Sequence, residues 1–270
     1  MARILEKRRL PQQGCVPADL QTGKRNFICR ICQSRDSGIC ISACLFTEPQ
    51  PEPDDTYLFD FALLFSSVLL DFYEETKDEK TLQDLYPAAV RQIEIGLSYL
   101  TDDNIIPDHS SEFWCFADWG EGLNTQAASL AILIYSLRYG IRLARHMGDS
   151  ECGKRFAAWE EKLKKSAVEH YWDEEQKLFV SGKDRQVSWA TQIWMILARV
   201  FPREKNRELI LHTIDVNPRI QMVTPYMYHH YIDALIRSGE KERALDEIKK
   251  YWREMAVSYT HLRAHETSAH

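Results

Sequence analysis

From Tyr57 onward, stretches that are apolar nearly all round alternate with stretches that carry charge on most faces. Apolar residues recur at helical spacing and are punctuated by short breaks containing Pro, Gly, Asn or Asp, which predicts one helix after another. The expected helices lie near Tyr57–Glu75, Pro87–Leu100, Thr125–Met147, Gly153–His170, Trp189–Phe201, Arg203–Thr213, Pro225–Ser238 and Lys241–Met255. The first, third, fifth and seventh lack a wet face, as in Phe61-Ala-Leu-Leu-Phe65 and Ala131-Ile-Leu-Ile-Tyr135, so protein must surround them. The fourth, sixth and eighth carry charge on most faces and belong outside. The second, with Arg91 and Glu94 among apolar residues, fits the outer role less cleanly. Inner and outer helices joined by short turns make hairpins, and hairpins side by side close into an all-α ring or extend as a solenoid. Between the fourth and fifth helices, Tyr171 to Val180 alternates briefly and predicts a small β excursion.

A polar and aromatic segment precedes each inner helix: Pro53-Asp54-Asp55-Thr56, Asp118-Trp119-Gly120-Glu121, Gln186-Val187-Ser188-Trp189 and Val223-Thr224-Pro225-Tyr226. Inner helices all run the same way, so these entrances share one rim and converge on one mouth, as in an active-site funnel. The richest is Phe113 to Gly122, with the indoles of Trp114 and Trp119 and the carboxylates of Asp118 and Glu121. Indole faces stack on sugar rings, carboxylates accept hydroxyl hydrogen bonds, and glycine lets the backbone approach a ligand. The competing reading makes the two tryptophans core plugs and the acids solvated or capping groups. Asp118 and Glu121, three residues apart on one loop, could also form an acid/base pair. Asp54 and Asp55 are either N-caps favoured by the helix dipole or rim ligands. Trp189 is either a sugar platform or the first core residue of its helix, with Trp194 beyond it in the core. Tyr226 is a further rim candidate. His229 and His230 point about 100° apart, so one at most faces the funnel; His230 is either a core histidine or a neutral imidazole bonding a hydroxyl.

At 270 residues, 44 % apolar and 27 % charged, the chain has material for one sizeable core, or one domain and a fragment. A net charge of −6, from 34 basic and 40 acidic side chains, argues against nucleic acid and anionic membrane as partners. No run approaches the roughly 18 to 20 apolar residues of a membrane span, and no signal peptide follows Met1. The seven cysteines are odd in number and crowd toward one end, which indicates a reducing compartment and a cytoplasmic location. Cys29, Cys32, Cys40 and Cys44 have a first spacing suited to zinc, but a frameshifted stretch explains them more simply, and no metal is assigned. His261 and His265 beside Glu266 are a weaker signal still. Asp54 and Asp55 lack the third acid of a magnesium-binding Asp-Asp-x-x-Asp array, which disfavours an isoprenoid-type toroid.

The segments Ala43 to Pro49, Asp54 to Asp60, Phe113 to Trp119, Val187 to Ala190, Thr224 to His230 and Lys249 to Trp252 together resemble the six-hairpin catalytic domain of family 78 glycoside hydrolases, the α-L-rhamnosidases and relatives. The likeness runs from about Ile41 to Met255, and it implies an incomplete (α/α)6 six-hairpin toroid with about four recognisable helical hairpins. It further implies action on terminal α-L-rhamnose or a related sugar by inversion, one carboxylic acid protonating the leaving oxygen and one carboxylate activating water. No cofactor is needed, and the partner is a carbohydrate substrate. By the same resemblance Asp118 accepts sugar hydroxyls and Trp119 stacks. In such families the acid precedes the first hairpin seen here and the base lies beyond the Tyr-Trp…Met segment; neither finds a matching residue. The catalytic pair is therefore unassigned, with Asp118 and Glu121 as candidates, and the chain is expected to be a catalytically crippled fragment. Residues 1–40 read as a frameshifted or divergent segment, 41–256 as the partial glycosidase domain and 257–270 as a non-native tail. Val257 to Thr267 lacks an apolar stripe and resembles translated sequencing-adaptor sequence. The alternative is a helical-repeat module that binds a protein or peptide, against which no fixed period near about 34 or 40 residues is found. Nothing in the pattern sets an oligomeric state.

Overall fold

The computed structural model describes the backbone of residues 57–108, 110 and 113–266 and the side chains through Arg253. Asp54 and Asp55, the four cysteines from Cys29 to Cys44, and the 1–40 segment lie outside the described residues. A two-residue strand β1 (Tyr57–Leu58) leads into α1 (Phe59–Thr76), which Lys77 ends in the left-handed conformation. Asp78 then caps α2 (Glu79–Ser98), accepting from Thr81 N at 3.0 Å and Thr81 Oγ1 at 2.7 Å. The helix thus begins at Glu79 rather than Pro87, and Pro87 lies inside it. A proline there costs about 3 kcal/mol, and burial of Leu82, Leu85, Tyr86, Ala89 and Ile93 along one face outweighs it.

The strand β2 (Phe113–Trp114) pairs in parallel with β1, Tyr57 opposite Phe113 and Leu58 opposite Trp114. Two residues are too few to show period-two alternation, so this ladder leaves no mark in the hydrophobic pattern. Next come α3 (Gln126–Met147), closed by Gly148, and α4 (Ser150–Tyr171), whose N-cap Asp149 accepts from Cys152 N at 3.0 Å. By length and composition α3 could cross a membrane, but 83 % of its apolar window is buried inside the fold, the condition of a core helix. The antiparallel pair β3 (Trp172–Asp173) and β4 (Leu178–Phe179) is the predicted β excursion.

Ser188 caps α5 (Trp189–Leu197), accepting from Thr191 N at 3.2 Å. This helix stops before Phe201 because Arg199 turns left-handed, with Arg199 N bonding Ile196 O at 2.9 Å and Val200 N bonding Met195 O at 3.2 Å. After α6 (Arg203–Val216), Thr224 caps α7 (Pro225–Ser238), and α8 (Lys241–Glu266) follows. It continues past Met255, where no glycine or proline interrupts the helix.

The helices α1, α3, α5 and α7 pack side by side in chain order. Outside them α2 lies on α1 and α3, α4 on α3, α6 on α5 and α7, and α8 on α7. The result is an arc of four helical hairpins among the described residues, an incomplete all-α six-hairpin toroid. The outer set includes α2, whose pattern fitted least well. Its Glu94 pairs with Arg155 of α4 at 2.7 Å, on the outside where both side chains stay solvated.

At the N-terminal end of α3 a polar latch joins neighbouring loops. Asn124 accepts from Ser181 Oγ at 2.6 Å, while Gln186 accepts from Asn124 N and donates to Gly122 O, both at 2.8 Å. Gly182 sits against this latch with φ 68°, and any Cβ there would run into the Asn124 amide. Gly182→Ala is expected to lower stability by about 1–3 kcal/mol through combined strain and clash. An unchanged thermal midpoint would show that the latch yields freely.

Candidate functional site

The loop from Phe113 to Asn124 ties the entrances of the inner helices together, and two carboxylates do most of the tying. Asp60, in the first turn of α1, is fully buried and accepts from Phe116 N and Ala117 N at 3.2 Å each; the Tyr226 hydroxyl stands 3.5 Å from it. Asp118 accepts from Trp119 N at 2.9 Å, Thr224 N at 3.0 Å, Thr224 Oγ1 at 2.7 Å and Val223 N at 2.8 Å. Thr224 has a double use, because its oxygen also accepts from Met227 N at 3.2 Å to cap α7. Between the two acids, Asp118 N bonds Phe116 O at 2.5 Å and closes a three-residue turn around Ala117, whose φ is 46°. A left-handed alanine in such a turn is strained, and it persists because both flanks are held. Asp60 thus fixes the loop to α1, and Asp118 fixes it to α7.

Burial pushes the Asp60 carboxyl up to about 6, against the hydrogen bonds from Phe116 N, Ala117 N and its own first-turn amides, which lower it. The clamp presents an aromatic cluster. Trp119 is 65 % exposed and Trp114 42 % exposed, with their rings 6.0 Å apart. Phe116 lies against both, at 5.0 Å from Trp119 and 5.8 Å from Trp114. Beneath Phe116 are Phe61 at 5.8 Å and Tyr226 at 5.5 Å, and Tyr226 in turn meets His230 at 4.5 Å edge to face. Two indoles left in solvent above a packed aromatic base are suited to stacking on the apolar face of a polyol ring.

Of the residues picked out from sequence, Trp114, Asp118, Trp119, Tyr226 and His230 come together at this end of the inner helices. Glu121 is exposed in the adjoining turn and makes no hydrogen bond or ion pair among the described residues. Trp189 reaches the same rim through the Ser188–Ile220 bridge, but its side chain is buried. Its ring stands edge-on to Tyr231 at 5.3 Å, and its Nε1 donates to Asn217 Oδ1 at 3.4 Å. Of the histidine pair, His229 is exposed and His230 buried, and burial holds His230 well below the usual histidine value, so its imidazole is neutral. Its ring lies 4.3 Å from Trp194.

Asp60 was not singled out by the sequence. An acid in the first turn of a helix ordinarily complements the dipole, so its pattern is that of any helix start. Trp194 is fully buried in the core below Tyr226. Among the described residues no three His, Cys, Asp or Glu side chains gather closely enough to hold a metal ion.

Residues 49–217 match the bacterial α-L-rhamnosidase six-hairpin glycosidase domain. A rhamnosidase from Klebsiella oxytoca with rhamnose bound is 34 % identical, the alignment covering 87 % of this chain and 46 % of that one, with a TM-score of 0.74. The family 78 rhamnosidase of Bacillus sp. GL1 is 20 % identical over 79 % of this chain and 23 % of its own, with a TM-score of 0.67, a likeness of fold. No curated protein matches. The chain spans less than half the length of either relative.

Proposed function

The chain belongs to the bacterial α-L-rhamnosidase six-hairpin glycosidase family, and from that premise we propose that it forms the sugar-binding arc of a glycoside hydrolase. The substrate is terminal α-L-rhamnose or a related sugar, the outcome inversion, and no cofactor takes part. Trp119 and Trp114 stack on the ring, and Tyr226 with His230 backs the platform. The observation that carries this reading is the pair of solvent-exposed indoles held over the mouth by two buried carboxylates.

Asp118 and Asp60 act here by position. Inversion requires one carboxyl to deliver a proton and a second, roughly 6.5–9.5 Å away, to activate water. Asp118 already accepts four hydrogen bonds and Asp60 is sealed from solvent, so neither is placed to do this. Glu121 alone does not make a pair. By the family likeness the acid and base lie in segments for which no matching residue is found here, and the reading proposed is a crippled turnover. The free thiols of Cys115 and Cys152 support a reducing, cytoplasmic setting as part of the same proposal.

Titration with L-rhamnose while tryptophan emission is followed tests the platform. A saturable change restricted to certain sugars is expected, and Trp119→Ala should weaken it by about tenfold or more. No response at high sugar would remove the platform. Hydrolysis of an aryl rhamnoside at about one turnover per second or faster would overturn the crippled-enzyme reading.

A further inference from the structure

The two arms of the clamp beneath the indoles are unequal. Asp118 accepts from Trp119 N at 2.9 Å, Thr224 N at 3.0 Å, Thr224 Oγ1 at 2.7 Å and Val223 N at 2.8 Å, the lengths of a fully satisfied carboxylate. Asp60 accepts two loop amides, both at 3.2 Å, and the Tyr226 hydroxyl stands off at 3.5 Å. The side chain is 0 % exposed and makes no ion pair among the described residues. An ionised carboxylate in that position has exchanged its water for long hydrogen bonds, whereas a protonated one leaves no buried charge uncompensated.

The groups facing Asp60 do not supply a countercharge. The Cys115 thiol meets it from the loop and the Tyr226 hydroxyl from α7, and burial pushes both well above their ordinary values, so both stay neutral. Behind Tyr226 stand the Tyr135 hydroxyl of α3 and the neutral His230 imidazole. From β1 and α2 Asp60 receives no hydrogen bond or ion pair among the described residues.

Residues 115–117 hang between two firmer points. On one side Phe113 and Trp114 pair with β1, and on the other Asp118 is bound to α7. Between them, the two long bonds to Asp60 hold the Phe116 and Ala117 amides down on α1. Ala117 is strained at φ 46°, so the turn relaxes once those bonds open. The Phe116 ring lies 5.0 Å from Trp119 and 5.8 Å from Trp114, and a shift of its backbone takes away the base on which both indoles rest.

We propose that Asp60 is a positioning residue whose protonation gates the platform: protonated, it holds residues 115–117 closed on α1, and ionised, it takes up water and lets them swing out about Asp118. This assignment rests on the proposed sugar-binding role of the indoles, and it adds that the platform is assembled in acid and loosened toward alkaline pH. The folded value of about 6 for Asp60, lifted from 3.8 chiefly by burial, agrees with the geometry. Opening wets the carboxyl and returns it toward its ordinary value, so opening is favoured as the pH rises through 6. Between about pH 5 and about pH 8 the ratio of closed to open loop should fall about tenfold.

Amide hydrogen exchange of the full chain, resolved by residue with NMR, tests the hinge without sugar. With the pH dependence of intrinsic exchange divided out, protection of Phe116 N and Ala117 N should fall about tenfold from about pH 5 to about pH 8. It should also lie below that of Ile132 and Leu133, which are fully buried in α3 and open only with the whole fold. Asp60→Asn, neutral at every pH, should show no such fall at the two loop amides. Rhamnose titrations followed by tryptophan emission should weaken in the parent over the same interval, by up to about tenfold, and stay level in the variant. Protection that is flat with pH, that matches α3 throughout, or that falls equally in Asp60→Asn overturns the hinge. A rhamnose affinity equal at both ends of the interval overturns the gating. Exchange that behaves as expected in a chain indifferent to rhamnose at every pH supports the hinge and removes the sugar reading instead.

Discussion

Replacing Asp118 with alanine is expected to lower folding stability by about 3–5 kcal/mol, the range for stripping one partner from a buried charged network. The carboxylate accepts from three backbone amides and one hydroxyl, drawn from its own loop and from the entrance of α7. Removing it leaves Val223 N and Thr224 N without an acceptor and frees the Thr224 hydroxyl that caps α7. Ala117 loses one of the two restraints that hold its left-handed turn. Asparagine keeps the shape but offers one acceptor oxygen instead of two, so Asp118→Asn should lose about 1–3 kcal/mol. Denaturant unfolding measures both, and a shifted midpoint with an unchanged slope is the expected form. The rhamnose response should fall with stability in the alanine variant, since Trp119 is oriented through the same contact. A loss below about 1 kcal/mol for alanine would mean that the rim is not part of the cooperative fold.

Asp60 should make stability fall as pH rises, the reverse of the usual carboxylate. Its folded value of about 6 lies above the ordinary 3.8, so between these values the folded state binds more protons than the unfolded chain. Stability from this group is fully present below about pH 4 and is lost as pH climbs through 6. A separation of about two units corresponds to about 3 kcal/mol. Asp78, Asp149 and Asp173 work in the opposite sense, because hydrogen bonds to their carboxylates lower them and their contributions disappear as the pH falls. The measurement is therefore a difference: unfolding free energy of the parent minus that of Asp60→Asn, followed from about pH 7 down to about pH 4. The parent should gain about 2–3 kcal/mol relative to the variant across that interval. A flat difference would show that the Asp60 carboxyl is not held at a raised value.

The alternation of apolar and charged stretches was enough to order the helices into inner and outer sets, because burial on all sides or on one stripe is written directly in the local pattern. The polar segments that hold Ser188 and Thr224 marked where two inner helices begin, and the structure shows each of these residues capping its helix, with the partner amide three residues away. The aromatic mouth was also legible, since helices of common direction must bring Trp119 and Tyr226 to one end. The tertiary structure alone set what each residue does there. Asp60 and Asp118 look like ordinary helix-start or loop acids until Phe116 arrives from 56 residues away and Thr224 from 106. Trp189 and Trp119 are alike in sequence, yet Tyr231 covers one while solvent meets the other. The passage of α2 through Pro87 was likewise decided by packing, while α5 stops early through a local left-handed closure at Arg199 that an arginine gives no reason to expect. Periodicity reports how much of a helix is buried; which donor meets which acceptor depends on segments that only folding brings together.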